Sequence, residues 1–194
     1  DAQGVIRVKF RVTDSRGAGV GRLGVTTRGA VSTSFIAAFI PKGTNLYTAY
    51  TTRTQSSTIT GNSAMQAAAD SGGTYRQAGD GAYESTFRTR APAGADRTAA
   101  HAVGVYSNRN MSEFDLPNNY SDDVFQFVPN GSAVVEKRDV VADATCNSCH
   151  GQLAFHGGSR RSVQLCIMCH SPQTTDPDTG NTVDMTVMIH KIQM

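Results

Sequence analysis

Ile6, Val8, Phe10 and Val12 alternate strictly with Arg7, Lys9 and Arg11, the two-residue period of a strand with one face in a core and the other in water. Asp14-Ser-Arg-Gly17 predicts the turn that ends it. The basic stripe is the solvated face such a strand needs, and it discourages pairing at a sheet edge. From Val31 to Arg53 the chain is rich in Thr, Ser, Phe, Ile and Tyr. Pro41-Lys-Gly43 interrupts it, so two strands joined by a turn are predicted. Residues 56–73 are small and polar, with a short helix predicted over Ala64 to Ala69. Asp80-Gly81 is a hairpin signal, followed by a strand through Tyr83 and Phe87. Ala91 to Asp96 reads as a loop, Thr98 to Ser107 as a strand and Asn108 to Asp123 as a loop. Val124 to Val128 reads as a short last strand, closed by Pro129-Asn-Gly131.

Short strands with Gly and Pro punctuation predict a mainly β N-terminal domain over residues 1–133, a Greek-key-like sandwich or split barrel. Residues 134–194 differ. After a link carrying Val134-Val-Glu-Lys-Arg-Asp-Val-Val141, short helices are predicted near Gln164–His170 and Val183–Ile192, among loops. A segment this small and this poor in apolar residues cannot build a core alone. Without something to wrap around, it is expected to be largely unfolded.

Composition narrows the class. With 39% hydrophobic and 18% charged residues the chain is globular, and a net charge of +2 suggests neither nucleic acid nor an anionic membrane as partner. Phe35 to Ile40 is the longest apolar run, far short of the ~20 residues of a membrane-spanning helix. The start, Asp1-Ala-Gln-Gly, lacks the pattern of an export signal and reads as a processed or trimmed end. Asn110, Asn119 and Asn130 begin Asn-x-Ser sequons, to which no function is attached.

The four cysteines change the picture. Cys146-Asn-Ser-Cys149-His150 and Cys166-Ile-Met-Cys169-His170 are two C-x-x-C-H motifs, the attachment signature of c-type haem. Each cysteine pair can form thioethers to one porphyrin, and the adjoining histidine can meet its iron. The sixteen residues between Cys149 and Cys166 also suit a four-cysteine zinc ribbon, which gives no reason for a histidine after both pairs. Two disulfides are a further alternative, but cysteines three apart seldom bridge outside redox motifs. Of the five histidines, His150 and His170 are the proximal candidates, and His156 and His190 the natural distal ones, making two bis-histidine haems. Met168, Met185, Met188 and Met194 are rival sixth ligands. Spacing does not say which distal histidine serves which haem. His101 reads as a structural polar residue in a strand. Asp176-Pro-Asp-Thr-Gly-Asn-Thr-Val-Asp184 is spaced loosely like a calcium loop without its full ligand pattern, and a surface turn is the expectation.

The run from Cys146 to Arg160 with its Phe-His156-Gly-Gly element, then Cys166-x-x-Cys-His-Ser-Pro172 and Met188-Ile-His-Lys-Ile192, resembles the first haem-binding segment of the OmcA/MtrC-type multihaem cytochromes. These are outer-surface proteins of metal-respiring bacteria. Phe10 to Gly17 and Gly79 to Phe87 are similar to that family's N-terminal β-domain. The likeness covers nearly the whole chain and is most specific over residues 139–194. It implies that His156 and His190 are distal haem ligands. Where the family has a second histidine after Lys-Ile, this chain has Gln193, and it ends at Met194 where the family continues. A fragment or a short two-haem relative is expected, exported to the cell surface or periplasm. Bis-histidine irons have no open position, which favours electron transfer over substrate turnover. The resemblance supplies the acceptors: minerals, flavins or other cytochromes. A dihaem peroxidase or oxyanion reductase, with one open iron, is the enzyme alternative. A β-domain that docks the haem pair into a larger assembly, including self-assembly, is the binding alternative.

Overall fold

The computed structural model describes residue 1 and residues 3–194. Among the described residues nine strands and three α-helices follow in order. Strands β1 (Val5–Arg11), β7 (Ala82–Arg90) and β6 (Thr74–Gly79) form one antiparallel sheet, in the order β1-β7-β6. Strands β2 (Val31–Ile40), β3 (Thr48–Ala49), β8 (Ala100–Arg109) and β9 (Asn119–Phe127) form a second, in the order β3-β2-β8-β9. A separate hairpin joins β4 (Thr52–Ser56) to β5 (Ser63–Ala67). Among the described residues the sheets stay open and no barrel closes.

Strand β1 follows its alternation. Ile6, Val8 and Phe10 turn into a cluster with Phe35, Ala37, Phe87 and Val103, while Arg7, Lys9 and Arg11 are exposed. Phe10 meets Phe35 edge-on at 5.1 Å. This is the interface between the two sheets. Strand β2 is covered on both faces, which accounts for the unbroken apolar run Phe35 to Ile40. Its odd residues face the first sheet; Ile36, Ala38 and Ile40 face the other way, with Ala100 and Ala102 of β8.

That second face is covered by the C-terminal segment. Helix α2 (Val163–Cys169) lays Val163, Leu165, Ile167 and Met168 on it, each 0–1% exposed. Each such side chain contributes about 1.5–3 kcal/mol on leaving water. Leu153 and Met185 complete the cluster. The segment too small to own a core thus borrows one from the sheet. Gly104 of β8 is the contact point: a Cβ there would lie 2.6 Å from Leu165 Cδ1 and 2.8 Å from Met168 Sδ.

Three local expectations are corrected. Ala64 to Ala69 is strand rather than helix over β5, because Arg53 to Ser56 pairs with it in register from Gln66 to Ser63. Ala, Met and Gln favour helix intrinsically, and pairing overrides that preference. Asn108 to Asp123 is not one loop: β8 runs to Arg109, a 3-10 turn spans Ser112–Phe114, and β9 begins at Asn119. Val124 to Val128 is therefore the second half of a longer strand. Helix α1 (Asp143–His150) had no periodicity to announce it, and none of its residues is buried.

His101 is buried among Phe39, Tyr50 and Phe127, its Nε2 2.7 Å from the Tyr50 hydroxyl and its Nδ1 2.9 Å from the Ala99 carbonyl. A neutral imidazole satisfies both bonds, with Nδ1–H donating to Ala99 and the phenol donating to Nε2. Burial holds its pKa below 6.5 and lifts that of Tyr50 to about 12. Because the folded value is depressed, the stability His101 contributes is present above pH 6.5 and lost as pH falls toward its folded value. In urea unfolding between pH 7 and 4, His101→Phe should lose part of the acid destabilisation that the wild type shows.

Candidate haem-binding site

In α1 and α2 the cysteines stand three apart, one on each side of a helical turn, so Cys146 with Cys149 and Cys166 with Cys169 each share a helix face. All four are free thiols. Among the described residues no three His, Cys, Asp or Glu side chains converge as a metal cluster. Burial, aided by the Asp122 charge, pushes the Cys166 thiol up to about 11, and burial does the same to Cys169. These surroundings favour the thiol form at the second motif.

The start of α2 is fixed by its own N-cap and by two carboxylates from elsewhere in the chain. Ser162 is its N-cap, accepting from Leu165 N at 3.3 Å. Asp122 of β9 accepts from the Arg161 and Ser162 amides and the Ser162 hydroxyl, at 2.8, 2.9 and 3.1 Å. Asp143, the first residue of α1, accepts from Val163 N at 2.6 Å. These carboxylates satisfy orphan amides and oppose the helix dipole, tying the second motif to both β9 and the first motif.

His170 caps the other end of α2. Its Nδ1 lies 3.0 Å from the Val183 carbonyl, and its own carbonyl accepts from Met185 N at 3.0 Å. With Nδ1–H donating, Nε2 keeps its lone pair free for a metal, in the orientation that such bonds impose on ligating histidines. His190, exposed on α3 (Met185–Gln193), has the same arrangement, with Nδ1 2.7 Å from the Thr186 carbonyl. The loop after His170 is held by the β-hairpin side. Gln173 exchanges bonds with Ala49 at 2.7 and 3.2 Å, Gln66 donates to the Thr175 carbonyl at 2.9 Å, and Ala67 N donates to Thr174 Oγ1.

His156 lies close to the second motif. It adopts a left-handed backbone, φ 51°, at the head of a glycine turn whose Gly158 lies against the Tyr120 ring at 3.2 Å from where a Cβ would be. The imidazoles of His156 and His170 have their centroids 6.0 Å apart and their planes 30° from parallel. A metal–imidazole bond is about 2 Å long, so rings this close can both reach one metal. The donor set therefore fits a c-type haem: two thiols on one helix face, an adjoining imidazole with a free Nε2, and a second imidazole near enough to share its metal. Partial desolvation, then the Arg160, His170 and Arg53 charges, hold His156 below the usual histidine range and keep it neutral. Arg160 is itself seated 3.7 Å above the Tyr106 ring.

His150 ends α1 and is exposed. The rival methionines are placed otherwise. Met168 is wholly buried against Gly104, Met185 is in the same core and Met188 is packed against it. The calcium-like stretch is a turn closed by a Thr175–Thr182 bridge. Asp176 accepts from Thr179 Oγ1 and the Asp178 amide, while Asp184 caps α3 and pairs with Arg138, so its carboxylates do not converge on a cation. Residue-type reasoning missed Asp122, Asp143, Gln173 and Arg138, whose partners lie far off in sequence. Asp184 was legible as an N-cap before the apolar run Met185 to Ile189.

A family model for outer membrane cytochromes, MtrC/MtrF-like, domains II/IV, matches residues 138–194. The multiheme cytochrome MtrC of Shewanella baltica (strain OS185) is 29% identical over 139 residues, 67% of this chain and 20% of that protein. The crystal structure of MtrC from Shewanella baltica OS185 superposes with a TM-score of 0.64 at 25% identity, covering 97% of this chain and 30% of the other. The chain thus spans about a fifth of the length of the curated relative it matches. Sequence, fold and the two C-x-x-C-H helices agree, and all three support a likeness of this chain to part of the OmcA/MtrC-type multihaem c-type cytochromes.

Proposed function

We propose that residues 134–194 hold two covalent haems c and that the chain carries electrons outside the cell. Cys146 and Cys149 attach one, Cys166 and Cys169 the other, with His150 and His170 as proximal ligands. His156 would be the second ligand beside His170, and by count His190 would serve the His150 haem. Residues 1–133 act as the scaffold, since the sheet supplies the face on which α2 is seated. The approach of the His156 and His170 rings to 6.0 Å carries this reading.

When bound, such haems supply one-electron transfer at an iron with no open position. The chain's own residues then act on ligand and charge. The Nδ1–H bonds of His170 and His190 make both imidazoles stronger donors, which favours the oxidised metal. The burial of α2 holds one cysteine pair on a rigid support. The likeness to an outer membrane cytochrome supports an exported, surface location. Among the described residues no helix is long and apolar enough to cross a membrane. Electron partners would be other multihaem cytochromes or extracellular acceptors such as minerals and flavins.

Electron paramagnetic resonance of the oxidised protein, with a pyridine haemochrome count, tests this. Two haems per chain, both low-spin with bis-imidazole signals, are expected. A high-spin signal from one of them in the wild type would favour a catalytic iron instead, and zinc without haem would refute the reading.

A further inference from the structure

The chain entering α3 and its first turn hold two imidazoles at once. Val183 O receives His170 Nδ1, and Thr186 O receives His190 Nδ1, from carbonyls three residues apart. Between them sits Asp184, 6% exposed. One of its oxygens accepts from Thr186 N at 3.1 Å and from Thr186 Oγ1; the other accepts from Arg138 at 2.9 Å. Arg138 comes from the link before α1, and both side chains of this ion pair are less than 10% exposed.

A buried ion pair is weak evidence for stability, because desolvating both charges offsets their attraction. This pair is also incompletely satisfied: Arg138 Nε has no partner among the described residues. Its position says more than its energy. Among the described residues, the Arg138–Asp184 bond is the one side-chain hydrogen bond between the link and the turn that carries both acceptor carbonyls.

We propose that Arg138 is a positioning residue for both haem sites: through Asp184 it fixes the Val183–Thr186 turn, and so the Nδ1 hydrogen bonds of His170 and His190 together. The proposal rests on the ligand roles proposed above for those two histidines. Loosening the turn weakens both bonds, makes both imidazoles poorer donors and favours the reduced iron at each. Two reduction equilibria are thereby set by one ion pair.

The test compares holoprotein carrying Arg138→Gln, Arg138→Lys or no substitution, by haem-resolved potentiometric titration and electron paramagnetic resonance. Arg138→Gln should raise both midpoints, by up to about tenfold in each one-electron equilibrium (about 59 mV), and alter the g values of both low-spin signals. Arg138→Lys, which keeps the charge, should recover most of the shift. Should Arg138→Gln fail to accumulate, Thr186→Val at an exposed site removes one bond to Asp184 and should move both midpoints the same way by less. Unchanged potentials and g values with a lowered Tm would make the pair a purely structural tie and overturn the proposal. A shift at one haem alone would overturn it too. If the wild type lacked two bis-imidazole haems, the ligand roles would fail first, a result visible before any variant is made.

Discussion

His156→Gly is expected to turn one haem from low-spin to high-spin and to open it to carbon monoxide when reduced, leaving the other unchanged. The variant suits the backbone, because residue 156 sits at φ 51°, where glycine is at ease and a β-carbon is not. The loss is therefore confined to the imidazole. The ring it removes lies 6.0 Å from that of His170, so one iron should lose its sixth ligand while the thioethers stay. Added imidazole should then restore the low-spin spectrum, since the deleted ring leaves its own volume. The optical spectrum of the oxidised protein, with and without imidazole, reads both effects. A spectrum identical to that of the wild type would show that His156 is not a ligand.

The second large effect is on folding. Gly104→Leu should destabilise the protein by about 3 kcal/mol, the upper range for forcing bulk into a packed core. For a chain of this size that lowers Tm by about 6–12 °C. A Cβ alone already comes within 2.6 Å of Leu165 and 2.8 Å of Met168, and Gly104 is paired on both sides, to Ile36 and Val124. Neither neighbouring strand can move aside without breaking its ladder, so α2 must lift. Gly104→Ala should show the same effect at about 1 kcal/mol. Thermal unfolding followed at the haem band and by far-ultraviolet circular dichroism measures both. Coincident loss of the two signals is expected, because α2 and the sheet share one cluster.

What was legible in the sequence was whatever its own neighbours decide. The alternation of Ile6, Val8 and Phe10 predicts β1 because burial on one face needs only the period of the chain. The C-x-x-C-H motifs are local for the same reason: their residues share one helical turn. Strand β9 was half hidden, because Asn119 to Asp123 is polar and becomes strand only through its register with Val105 to Arg109. The pairing of His156 with His170 was out of reach of spacing. It depends on the glycine turn packing against Tyr120 and on α2 lying across the sheet.

A sheet covered on both faces also sets a schedule. Strand β2 pairs with β8 across about sixty intervening residues, and its ladder must close before either face has a partner worth the loss of chain entropy. The first sheet lies earlier in the chain than α2, so the far face of Ile36, Ala38 and Ile40 waits longest for its cover. Until residues 163–169 arrive, that face is bare and sticky, and Cys166 and Cys169 are still in water. Once they dock, both thiols are half-buried. The covalent attachment proposed for the second motif would then be a race against docking, with the thiols most open to reaction before the core closes.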